Sequence, residues 1–150
     1  MLAVAVEREM PLVAMHNQQG TDYDTPVIDA VLNVLGDVAR RARACGVTVI
    51  LDPGIGFGKT PDQNLAVLGQ LARLAELGLP TLLGTSRKST IGKLTGREPQ
   101  DRGYGTAATT ALGIAAGIDI VRVHDVAQAR DTIAVSDAIV RGWRPESWTR

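Results

Sequence analysis

Apolar positions along this chain alternate between two spacings, and the alternation is written four times. Val31, Leu35, Val38 and Ala42 recur at helical intervals within Val27–Cys45, as do Leu65, Leu68, Leu71, Ala72 and Ala75 within Pro61–Leu77. Between the helical stretches stand short runs with strand character: Pro11–Met15, Val47–Leu51, Pro80–Gly84 and Ile118–Val123. The punctuation agrees. Gly46, Gly78, Gly117 and Gly142 close the predicted helices, and Thr60-Pro61 and Asp125 stand where helices should be capped. Arg40, Arg41 and Arg43 fall near the C-terminal dipole of the first long helix. A further helix, Asp101–Ala116, is rich in Ala, Gly and Thr and suits close packing, and a last one runs from Asp125 to Arg141. Met1–Glu9 reads as the end of a helix, His16–Pro26 as a polar loop, Thr85–Pro99 as a loop with a short helical turn, and Trp143–Arg150 as a frayed tail.

The strand starts Pro11, Val47, Pro80 and Ile118 recur every 33 to 38 residues, the length of one βα unit, with no hairpin signal between them. Right-handed crossovers then leave two architectures, a doubly wound open sheet or part of a (β/α)8 barrel. A typical barrel needs about 250 residues. The 150 residues here would hold half of one, with both edge strands unpaired and half the core uncovered. The helical fragment at Met1–Glu9 predicts further βα units upstream.

Composition narrows the class. The chain is 45% hydrophobic and 21% charged, with sixteen acids balanced by sixteen Lys and Arg, as expected of one ordinary domain with a real core. Zero net charge argues against a dedicated nucleic-acid or membrane-surface binder. The longest weakly polar run, Ala107–Val121, is broken by Thr109, Thr110 and Asp119 and does not read as a bilayer span. Met1–Met10 lacks the basic start of a signal peptide, and the single Cys45 excludes an intramolecular disulfide. Cys45 is expected to pack as a small hydrophobe near a helix end, and the expected location is cytoplasmic.

Candidate chemistry gathers at the strand ends. In Leu51–Thr60, LDPGIGFGKT, Asp52 stands at the end of a strand and Gly54, Gly56 and Gly58 carry the chain away to a helix. In parallel α/β proteins ligands bind at this end. The spacing departs from GxxxxGK[ST], which argues against a phosphate loop. An acid beside a Gly-rich loop suits a polar heterocycle, because a carboxylate accepts two N–H bonds in one plane. Beyond the third strand comes Thr85-Ser86-Arg87-Lys88-Ser89, in which Arg87-Lys88 is either a solvated dibasic pair or a functional one. Arg122 and His124 lie two apart on the fourth strand and share a face, with Val121 and Val123 on the other. On an inner face they would cost stability unless an anion or a buried acid receives them. His16, in a loop, reads as structural or solvated rather than catalytic. His16 and His124, with no Cys or acid at ligand spacing, make no zinc site, and Ser86 lacks the GxSxG setting of a nucleophile. Trp143 and Trp148 are expected to cover the barrel floor or a partner.

LDPGIGFGK, GTSRKS and VRVHDV, in this order, resemble the C-terminal half of dihydropteroate synthases, enzymes of folate biosynthesis; AMHNQQG and RGYGTAATTALGIAAG match as well. The resemblance covers about residues 10 to 142. It implies the last four βα units of a (β/α)8 TIM barrel, with the chain as one pterin-binding domain. The implied reaction joins p-aminobenzoate to 6-hydroxymethyl-7,8-dihydropterin diphosphate and releases diphosphate with Mg²⁺ present. By motif, Asp52 would bond the pterin ring, with Lys88 in the same pocket and Met15 on its wall. Phe57 and Ser89 would lie beside p-aminobenzoate, and Arg122 and His124 would bind diphosphate. Asp52, Lys88, Arg122 and His124 are thus the expected catalytic set.

The resemblance also implies what such a chain lacks: pterin contacts, an Asn that binds metal or diphosphate, and two mobile loops, all from the first half of the barrel. A truncated synthase with a half-complete site is expected. A homodimer through the C-terminal helices, with Asp101–Ala116 as a contact surface, is implied too. Two rivals stand beside this reading. One is a non-catalytic pterin-binding module similar to that of folate-dependent methyltransferases. The other is a Schiff-base aldolase with Lys88 as its amine.

Overall fold

The computed structural model describes residues 2–148, so the expectations for Met1, Thr149 and Arg150 lie outside the described residues. Four parallel strands stand side by side in chain order: β1 (Leu12–Met15), β2 (Val49–Asp52), β3 (Leu82–Leu83) and β4 (Ile120–Val121). Leu12 to Met15 pair in register with Val49 to Asp52, and Leu82 and Leu83 with Ile120 and Val121. The bridge Leu51–Thr81 joins the two pairs. Helices α1 (Leu2–Glu7) and α2 (Val27–Ala44) flank β1, and α3 (Pro61–Leu68) and α4 (Leu71–Ala75) follow β2. Next come α5 (Ser89–Thr95) and α6 (Gly103–Ala115) after β3, and α7 (Val126–Val140) after β4.

Strand order without a reversal removes the doubly wound alternative, which requires a switch point where the order turns back. Right-handed crossovers in one direction place every helix on one face. Burial agrees. Val49, Leu51, Thr81 and Leu83 point to the helical side and are at most 1% exposed, whereas Val13, Met15 and Ile120, on the other face, are 48%, 38% and 38% exposed. The sheet is an open arc with no closed barrel among the described residues. Its core lies between strands and helices, where Val31, Leu35, Val67, Leu71, Leu74 and Ile118 pack against Leu51 and Leu83.

Several expectations are corrected. The predicted helix Pro61–Leu77 is two helices, because Gly69 ends the first and Gln70 leaves helical geometry at φ −130°. The break resets the buried stripe to Asn64, Val67, Leu71 and Leu74, leaving Leu65 and Ala72 exposed. The turn expected within Thr85–Pro99 is the seven-residue α5, closed by Gly96 at φ +69°. β3 and β4 are shorter than predicted, and β2 starts two residues later. Cys45 sits at the helix end as expected but is exposed. Asp125 stands at the N-cap of α7 without a side-chain cap bond. The tail up to Trp148 is not frayed: Glu146–Trp148 forms a 3-10 turn and Arg144 Nη1 donates to Ala138 O at 2.7 Å. Trp143 and Trp148 remain 48% and 68% exposed. Close packing of α6 holds: a Cβ on Gly105 would lie 2.3 Å from Ile91 Cγ2.

Candidate functional site

The loop after β2 is held by an unusual amount of internal bonding. Thr60 Oγ1 accepts from Gln63 N, and the Gln63 side chain accepts from Thr60 N at 2.8 Å, a reciprocal cap that starts α3. Gly54 has φ +68°, and a Cβ there would fall 1.8 Å from His16 O, so only glycine lets the loops after β1 and β2 approach. Gly56 N donates to Asn64 Oδ1 at 2.8 Å, and Asn64 Nδ2 reaches Thr90 Oγ1 at 3.2 Å, tying this loop to α5. Beneath the loop, buried Lys59 donates to Gly54 O and Phe57 O at 3.1 Å and meets His16 Nδ1 at 3.0 Å.

Asp52 is buried at the end of β2, side by side with Met15 in the ladder. Gly54 N donates to its Oδ1 at 2.8 Å, which orients the carboxylate and leaves Oδ2 for a ligand. Burial pushes the Asp52 carboxyl above its ordinary range, against the Gly54 N–H and the charges of Arg122, Lys88 and Lys59, which pull it down. Lys88 precedes α5 and lies with Nζ 4.1 Å from the centre of the Phe57 ring, a cation–π contact. Burial and the neighbouring Arg122 lower the Lys88 amine, and Asp52 opposes them.

Arg122 lies over Gly84, whose missing side chain makes the room: a Cβ there would meet Arg122 Nη2 at 2.9 Å. The alternative of Arg122 paired with a buried acid is not realised, since no salt bridge among the described residues includes it. Arg122 and His124 are both exposed, because the inner face of the arc is open, so the stability cost expected of them is not incurred. Ser86 Oγ accepts from His124 N at 3.2 Å and lies 2.9 Å from His124 Nδ1, which fixes the imidazole. Arg87 is not a solvated partner of Lys88: its guanidinium pairs with Asp125 at 2.8 Å.

Phe57, Ser86, Lys88, Arg122 and His124 therefore line one open cleft of about 490 Å³. Ser89 is exposed at the start of α5, next to Lys88. Met15 flanks Asp52 but lines a separate apolar groove along the free β1 edge. Sequence reasoning missed Lys59, Asn64 and the support given by Ser86 and Asp125. Asn64 carried a signal, as a poor helix former inside an amphipathic stretch. Among the described residues no group of three or more His, Cys, Asp or Glu is arranged to hold a metal ion. No described helix is long and apolar enough to cross a membrane.

Two cations and an aromatic ring on successive βα loops line a cleft for a polar, anionic ligand, with buried Asp52 outside the lining but near enough for its charge to act on both cations, and the chain belongs to the pterin binding enzyme family, whose profile matches residues 1–124. Its relatives are dihydropteroate synthases. It is 44% identical to the one from Clostridium beijerinckii over 94% of this chain and 54% of that protein. It superposes with a TM-score of 0.90 on the Clostridium difficile dihydropteroate synthase solved in the presence of pteroic acid, at 46% identity over 94% of this chain and 55% of that one. The Thermus thermophilus enzyme in complex with 4-aminobenzoate gives 0.87 at 38% identity, covering 93% and 60%. The chain thus spans about half the length of the curated relatives it matches.

Proposed function

We propose that this chain carries the C-terminal, substrate-binding half of a dihydropteroate synthase on four units of a (β/α)8 barrel. The supporting observation is the convergence of Asp52, Lys88 and Arg122, whose charges act on one another across three strand ends. Asp52 Oδ2 and Lys88 take the polar edge of the pterin, Met15 flanks it, and Phe57 and Ser89 face p-aminobenzoate. Arg122 and His124 take the diphosphate. In the reaction the pterin methylene C–O bond breaks and its electron pair leaves with the diphosphate oxygen. The p-aminobenzoate nitrogen forms the new C–N bond and loses a proton. Cations at the departing oxygens stabilise the charge that builds there, and the Asp52 carboxylate favours the electron-poor pterin left behind. No covalent enzyme intermediate is needed.

Mg²⁺ is part of this reading, carried with the diphosphate, since among the described residues no three His, Cys, Asp or Glu gather into a metal site. In this reading the ion arrives on diphosphate oxygens, in keeping with its preference for substrate phosphates, and no step depends on a protein ligand to it. A homodimer belongs to the same proposal; exposed Tyr104, Leu112, Val135 and Ile139 on α6 and α7 support it. So does a cytoplasmic location, on the balanced charge and single cysteine.

Calorimetric titration with a pterin, and separately with diphosphate plus Mg²⁺, tests the reading. Binding of both is expected, with both lost in the Asp52→Ala, Arg122→Ala double variant. Binding of neither by the folded wild-type chain overturns it. Product formation with p-aminobenzoate separates synthase from pterin-binding module.

A further inference from the structure

Lys59 is 8% exposed and forms no salt bridge among the described residues. Asp52 acts on its charge from a distance, but no described carboxylate contacts the buried ammonium, which is costly, and an apolar side chain would fill the space more cheaply. What the ammonium supplies is three donors from one point. They go to three acceptors that the strands and helices do not reach: Gly54 O and Phe57 O at 3.1 Å, and His16 Nδ1 at 3.0 Å.

Each acceptor bears on the cleft. Gly54 is the residue whose N–H orients Asp52. With its carbonyl drawn inward, Phe57 directs its ring outward beneath Lys88. His16 stands on the loop after β1, stacked on Tyr23 with ring centres 6.2 Å apart, and the Tyr23 hydroxyl donates to Gly58 O at 2.7 Å. The ammonium therefore closes a cluster that joins two loops under the candidate site. Accepting from Lys59 leaves the neutral His16 ring with its proton on Nε2.

We propose that Lys59, with His16 as its acceptor, is a positioning residue for the cleft. It holds the Gly54–Gly58 loop so that the Phe57 ring stays under Lys88 and the Gly54 N–H stays on Asp52. The consequence for ligand binding rests on the function proposed above; the clamp itself does not.

The test reads the Lys88 ε-methylene protons by NMR, which the Phe57 ring current moves upfield. Phe57→Leu assigns the effect. Lys59→Met is expected to remove more than half of the upfield shift and to weaken pteroic acid binding at least tenfold, with far-UV circular dichroism unchanged. Leu74→Ala, which loosens the core elsewhere, is expected to leave the shift in place, and this separates positioning from general destabilisation. Lys59→Met with an unchanged Lys88 shift overturns the proposal. Absence of pteroic acid binding by the wild type would sink the proposed function, while the Lys88 signal would still decide the clamp. Should Lys59→Met fail to fold, the wild type decides through nitrogen-15 spectra: a protected Lys59 ammonium signal and an unprotonated His16 Nδ1 are expected, and a proton on Nδ1 overturns the proposal.

Discussion

Arg87 grips Asp125 with two nitrogens, Nη2 at 2.8 Å from Oδ1 and Nε at 3.4 Å from Oδ2, and so ties the loop after β3 to the loop after β4. Arg87 does this from φ +59°, an uncommon conformation for a residue with a side chain, and Arg102 Nη1 holds its carbonyl at 2.8 Å. The residues on either side of the pair, Lys88 and His124, line the cleft.

Breaking the pair should therefore disturb binding more than stability. Both side chains are partly exposed, so Arg87→Met is expected to cost about 1 kcal/mol of folding free energy or less. Arg87→Gly removes the pair and the strained backbone together and should lose less. Urea melts give the stability order. Calorimetry with diphosphate should show weakened binding in both variants, because Lys88 and His124 are no longer held apart at a fixed distance.

Asp52→Asn should trade binding for stability. Burial raises the folded-state pKa of Asp52 above its unfolded value, so its stabilising contribution is present when it is protonated and lost as pH rises through the folded pKa. At pH 7 the ionised carboxylate is a liability. An amide keeps an oxygen to accept from Gly54 N–H without the buried charge. The expected outcome is a gain of about 1 kcal/mol at pH 7, vanishing on acidification, with pterin binding lost. A less stable Asp52→Asn protein would contradict it.

The parts of this molecule that periodic patterning governs were readable in advance, and the parts set by single contacts were not. Strand, glycine loop and capped helix around Asp52 follow from local chemistry, and so do the boundaries of α2. Strand order was not legible, since four βα units allow either an arc or a doubly wound sheet until the register of β1 to β4 is seen. The buried face of α3 was misread because Asn64, a polar residue, points inward to bond Gly56 and Thr90, while Leu65 points out. Arg122 and His124 were rightly placed on one face, but the openness of that face is a property of the half sheet. Lys59 drew no reading of its own, because nothing local reveals that three acceptors from two loops meet above it.

Gly113→Ala gives a prediction whose sign depends on packing. In an exposed helix interior this change stabilises by roughly 0.5–1 kcal/mol. Here the added Cβ would meet Leu83 Cδ2 at 2.7 Å, with Ile118 Cγ1 at 3.7 Å, in the buried contact between α6 and β3. Overpacking of this kind costs about 1–3 kcal/mol. Net destabilisation of about 1–2 kcal/mol is expected from a thermal or urea melt. A neutral or stabilising result would mean that α6 can slide on the sheet.

His16 sets an acid limit on the fold. Burial, reinforced by the Lys59 charge, lowers its folded-state pKa to about 4, whereas the unfolded chain takes up the proton near 6.5. Between those values the unfolded state binds more protons, so stability falls as the solution is acidified and this contribution is spent by about pH 4. The difference amounts to roughly 3 kcal/mol. Lys59 gives a slope of the same sign in another window: its amine titrates at about 8 in the fold and 10.5 unfolded, so its contribution rises with pH between them. Asp52 acts in the opposite direction on the acid side, and the observed slope is a difference. His16→Gln isolates one part of it. Urea unfolding at pH 7.0, 5.5 and 4.0 should show the wild type losing stability steeply and the variant losing about 3 kcal/mol less over the same range. Parallel curves for the two proteins would mean that His16 takes up its proton in the folded state as readily as in water, and that the Lys59 contact does not hold its ring neutral.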